Sequence, residues 1–168
     1  MKKSADILFF VLVFLLQLAL TDYLHIGPWI TLSLIPFLIL HIPLPRSPQF
    51  VTLVAFALGL GLDLLSDGVP GLNAFAAVMA AAPRKALYRM FVNSDRQDKT
   101  DVPRLDDTGL VKYLKYLLAL TAVYLAAYTL LDCVSFRPLD FILIKFAAST
   151  AASTALALLL AVPLQNRR

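Results

Sequence analysis

Two aspartates, Asp63 and Asp67, close a strongly apolar run in the stretch GLGLDLLSDGVPGLNAFAA, residues 59–77. Carboxylates within an apolar segment are costly and face protein or water, so they suit ion coupling, proton relay or partner docking. As a pair they could also hold a metal on behalf of a lipid-directed enzyme, which would need further ligands that the short neighbouring loops do not offer. The structural alternative is a turn. Ser66 and Asp67 can cap a following helix, and Asp63 can pin the turn itself. Val69-Pro70-Gly71 supplies that turn, since proline fixes φ and glycine permits positive φ. On the residues alone, the structural reading stands ahead of the chemical one.

Other chemistry is sparse. The sequence has no Gly-rich phosphate loop, no H-E-x-x-H and no Cys or His cluster. His25 and His41 fall at opposite ends of one apolar run and read as surface histidines. The lone Cys133 excludes an internal disulfide and a Cys-rich metal site. All eleven acidic residues are aspartate, with no glutamate. This inventory argues against a proton pump and against an ATPase. Lys145 lies about 9 Å along its run from Leu139 by the helical rise. It is expected to snorkel outward, or to pair with Asp63 or Asp132.

The elements that must position these residues are membrane helices. Of the 168 residues, 60% are hydrophobic and 15% charged, with a mean hydropathy of +0.77. Soluble domains carry roughly a quarter charged residues, so lipid is the expected solvent. Six spans are predicted, near 5–24, 28–42, 50–65, 72–92, 110–131 and 139–162, in one all-α domain over 1–168. The first has no small-x-small cleavage site after it and reads as a retained helix rather than a signal peptide. The second contains Pro36, expected to kink it. In the fourth, Pro83-Arg84-Lys85 interrupts the pattern. Either the helix continues past a proline kink with Arg84 and Lys85 snorkelling, or 86–92 lies in the interface. Small residues in KFAASTAASTALALL, in NAFAAVMAAA and at Ala55 and Gly59 predict close helix packing.

The net charge of +4 is topological rather than a nucleic-acid signal. Thirteen of the fifteen basic residues fall in alternate links and termini, eight of them between Arg84 and Lys115. That positive-inside pattern places both termini in the cytoplasm and the 63–74 stretch on the outer side. The polar segment NSDRQDKTDVPRLDDTG, 93–109, is expected to be a flexible cytoplasmic loop.

The stretch G59-L-G-L-D63-L-L-S-D67-G-V-P70-G71-L-N-A74 resembles the rod shape-determining MreD family, especially its Bacteroidetes-type members. Gly27-Pro28-Trp29 at the start of span two, the Pro-containing loop 43–48 and the basic link after span four also fit. Relatives often carry histidine where Asn73 stands. The resemblance covers nearly the whole chain. It implies a non-enzymatic scaffold of the bacterial inner membrane, without cofactor, metal or nucleic acid. It implies binding to MreC and, through it, work with a RodA-type glycosyltransferase, a penicillin-binding transpeptidase and MreB in lateral peptidoglycan synthesis. It further implies a fold similar to the substrate-binding subunits of energy-coupling-factor vitamin transporters. On this reading Asp63, Asp67, Pro70, Gly71 and Asn73 form the partner-binding turn. The alternative is a vitamin-capturing transporter subunit, with Trp29, Tyr124, Tyr128 and Asn73 lining its cavity.

Overall fold

The computed structural model describes residues 2–23, 30–66, 69–92, 102–103, 108–133 and 138–165. All regular structure among these residues is helical: α1 (Lys2–Tyr23), α2 (Ile35–Leu40), α3 (Pro48–Leu65), α4 (Leu72–Ala81), α5 (Arg84–Phe91), α6 (Leu110–Cys133) and α7 (Leu139–Gln165). Three helices, over Pro48–Leu65, Leu110–Asp132 and Asp140–Ala161, are long and apolar enough to cross a membrane. The stretches Ile7–Asp22 and Leu72–Ala81 are apolar but shorter. Large apolar side chains face outward on each long element, among them Ile7 and Leu8, Leu53 and Phe56, and Leu143 and Ile144. So much exposed apolar surface fits hydrocarbon rather than water and marks the chain as a membrane protein.

The centre of the bundle is α6. It buries Tyr113, Tyr116, Leu117, Leu120, Tyr124 and Leu125, at intervals of one to four residues along its length. It packs against α2, α4, α5 and α7. The most extensive pairing joins α3 to α4. There Ala55, Gly59, Ala74 and Ala77 are all buried, so the small residues bring two backbones together as their spacing predicts. The N-terminus of α3 is capped by Ser47, whose hydroxyl accepts from the Phe50 N–H at 3.3 Å.

The second predicted span departs from expectation. Residues 30–34 form no regular structure, and only Ile35–Leu40 is helical. Pro36 lies in the first turn of α2, where its missing N–H costs no hydrogen bond, so it begins a helix instead of kinking one. The fourth span is two helices, broken at Ala82-Pro83. Arg84 does not snorkel from this break. Its side chain turns inward and is 1% exposed. Its Nη2 donates to the backbone carbonyls of Leu40 and Ile42. These acceptors close the C-terminus of α2, where a cation is favoured by the helix dipole. His41 is not a free surface histidine. Its Nδ1 lies 3.0 Å from the Phe37 carbonyl oxygen, and its ring packs on those of Phe37 and Phe9. His25, Trp29 and nearly all of the loop 93–109 lie outside the described residues.

Candidate functional site

Asp63 sits in the last turn of α3 and is 3% exposed. Its carboxylate accepts four hydrogen bonds from the start of α4. Oδ2 accepts from the N–H of Gly71 and of Ala74, each at 3.0 Å. Oδ1 accepts from the Asn73 N–H at 3.1 Å and from Asn73 Nδ2 at 2.8 Å. Gly71 is the N-cap residue of α4, with φ of 91°, and has no side chain to cap with. A residue of the preceding helix therefore caps α4 in its place. The negative charge stands at the positive end of the helix dipole, and the first N–H groups of the helix are satisfied.

The approach is close because Gly59, one helical turn before Asp63, has no side chain. A Cβ on Gly59 would stand 2.5 Å from the Ala74 Cα and 2.5 Å from the Asn73 carbonyl oxygen. Gly59 thus permits the contact that Asp63 ties. Gly71 supplies the left-handed backbone on which the turn ends. Val69 and Pro70 are exposed at its tip, and Leu64 and Leu65 are exposed beside it. Of the residues predicted for this site, Asp63, Gly71 and Asn73 are joined by hydrogen bonds, Pro70 forms the outer surface, and Asp67 lies outside the described residues.

The clamp continues into the bundle. Tyr124 donates its hydroxyl to Asn73 Oδ1 at 2.6 Å, which with the Asp63 contact fixes both ends of the amide. The Tyr124 ring stacks on Tyr128, with centroids 6.4 Å apart and planes 18° apart. Lys145 Nζ lies 6.0 Å from the Tyr128 centroid and donates to Asp132 Oδ2 at 2.5 Å. Lys145 therefore does not snorkel. It pairs with Asp132, while Asp63 is occupied by α4.

Behind the clamp lies the irregular segment 30–34, whose backbone takes its partners from elsewhere. Side chains of two other helices satisfy it. Thr31 N–H donates to Ser149 Oγ at 2.9 Å, and Ser33 N–H donates to Ser153 Oγ at 3.0 Å. Gln17 accepts from the Leu34 N–H with Oε1 at 2.5 Å and donates through Nε2 to the Leu32 carbonyl at 3.2 Å. Irregular backbone at membrane depth is tolerated when protein satisfies it in this way. Neither Gln17 nor the two serines stands out in the sequence as a functional residue. The signal was geometric. Ser149 and Ser153 stand four residues apart on one face of α7 and so meet Thr31 and Ser33 together.

Among the described residues, no group of three or more His, Cys, Asp or Glu side chains is placed to hold a metal. Among the described residues the arrangement fixes backbone geometry, joining α3 to the start of α4. Comparison with family models, with characterised proteins and with solved structures gave no match.

Proposed function

We propose that this chain is a non-enzymatic scaffold of the bacterial inner membrane, of the MreD type. It crosses the bilayer six times with both termini in the cytoplasm. It presents the turn between α3 and α4 on the outer side to MreC. Through MreC it serves the RodA-type glycosyltransferase, the penicillin-binding transpeptidase and MreB in lateral wall synthesis. The observation that carries this reading is the use of Asp63. All four of its hydrogen bonds tie the end of the turn to α3, and among the described residues Leu64, Leu65, Val69 and Pro70 expose apolar surface beside it. Apolar anchors on a preorganised backbone are what a protein partner binds, with polar groups setting orientation. The alternation of basic and uncharged links supports the topology.

The test is recovery of partners with the tagged chain from its native membrane in mild detergent. MreC and the wall synthases are expected in the wild-type eluate. Their recovery should fall in Pro70→Ala and Asp63→Ala at matched protein levels. Full recovery with both variants contradicts the reading.

The broken α2 favours a second reading. Discontinuous helices surround the midplane ligand sites of transporters, so a vitamin-capturing subunit of an energy-coupling-factor transporter is the alternative. Against it, the polar groups of Tyr124 and Asn73, two of the residues assigned to line its cavity, are bonded to each other. Saturable binding of a labelled vitamin to the purified chain would favour the alternative.

A further inference from the structure

At the end of the bundle opposite the clamped turn, Arg84 enters the core between α2, α5 and α6. Its Nη2 caps α2, but Nε and Nη1 have no hydrogen-bond partner. Tyr116 stands against it, its phenol oxygen facing the guanidinium, and Tyr113 lies one turn before Tyr116 on α6; both are fully buried, and the O–H of neither has an acceptor. The Tyr88 ring packs edge-on against Tyr116 at 5.6 Å and closes one side of the cluster. Among the described residues no carboxylate pairs with Arg84.

This is an unusual concentration of unmet donors. Nε and Nη1 together carry three N–H groups, and the two phenols carry two O–H groups. Buried polar groups nearly always find partners, and a buried cation without an anion is costlier still. Burying the head of Arg84 solely to cap α2 would require one nitrogen and leave the others unmet. A group that satisfies these described donors accepts several hydrogen bonds at once and carries negative charge. A tetrahedral oxyanion does both, and guanidinium matches its geometry in a fork. Lys112 and Lys115, each adjacent in sequence to one of the tyrosines, are exposed at the same end, and Lys85 is half-exposed. They form a basic rim that raises the local concentration of anions.

We propose that Arg84, Tyr113 and Tyr116 form a binding site for a phosphate group, reached from the basic end of the bundle. The phosphate comes from the headgroup of an anionic phospholipid or from free inorganic phosphate. The site is independent of the α3–α4 turn, so it stands whether or not that turn binds MreC.

The test uses the full chain, purified in mild detergent and then placed in phosphatidylglycerol nanodiscs or titrated with inorganic phosphate. The informative variant is Tyr113→Phe/Tyr116→Phe. It removes two O–H donors that have no acceptor in the ligand-free fold and leaves the Arg84 Nη2 cap on α2 in place, so it should fold. Native mass spectrometry after detergent extraction is expected to show phosphatidylglycerol retained by the wild type. In the double variant, retention should weaken about tenfold or more, the loss of charge-assisted hydrogen bonds. If the lipid is not retained but inorganic phosphate raises the Tm of the wild type and not of the variant, free phosphate is the source and the site stands. Equal responses in wild type and variant, or a response in neither, overturn the proposal.

Discussion

At the residue scale, Asp63 and Gln17 perform the same task at different places. Each supplies acceptors to backbone N–H groups that their own element leaves bare. In Asp63→Asn one oxygen becomes an amide nitrogen. If the Oδ2 position is the one replaced, the N–H groups of Gly71 and Ala74 lose their acceptor. Unmet buried donors cost about 1–3 kcal/mol each, so the variant should lose about 3 kcal/mol in detergent unfolding. Because the charge at the α4 terminus is lost in either orientation, a fully stable variant would contradict the clamp. Gln17→Leu keeps the bulk but strands the Leu34 N–H and the Leu32 carbonyl. A loss of about 2–4 kcal/mol is expected by the same reasoning. Ser153→Ala removes the acceptor of the Ser33 N–H and a long donor contact to the Thr31 carbonyl, and should cost about 1–2 kcal/mol.

At the scale of elements, the pairing of α3 with α4 depends on a missing side chain. Gly59→Ala would push a methyl group into the backbone of residues 73–74. The neighbour is backbone, so the helices must separate, and the Asp63 bonds lengthen with them. Overpacking of this kind costs about 1–3 kcal/mol. Amide exchange at Asn73 and Ala74 should accelerate with it, while exchange in the core of α6 should not. Much of this was legible in the sequence, because glycine, aspartate and the Val-Pro-Gly turn fall within one short stretch. The break in the second span was not. Pro36 suggested a kink, yet whether a proline kinks a helix or begins one depends on whether side chains elsewhere can satisfy the chain before it. Those side chains lie 15 to 120 residues away along the chain, on α1 and α7. The inward course of Arg84 is not legible in the sequence for a related reason. An arginine after a helix break snorkels by default, and only the three-dimensional position of the α2 C-terminus gives it acceptors inside.

At the scale of the whole molecule, two short helices are each completed by a charged residue from elsewhere. Asp63 serves the N-terminus of α4, and Arg84 serves the C-terminus of α2. Each charge meets the helix end of opposite sign. At both places a buried charge closes a helix end that its own sequence leaves open. The proposed orientation has a direct check. A fluorescent protein that matures only in the cytoplasm should glow when fused after Arg168, and alkaline phosphatase at the same place should be inactive. The reverse pattern would invert the topology and move the α3–α4 turn to the cytoplasmic side. The most direct test of the central claim is a surface change that leaves the clamp alone. Val69 is exposed at the tip of the turn and makes no side-chain hydrogen bond, so Val69→Asp should unfold like the wild type. Co-purification of MreC from native membranes should then drop about tenfold or more, as expected for a charge placed in the apolar centre of an interface. Undiminished recovery of MreC with that variant, at equal expression and stability, would show that the partner binds elsewhere.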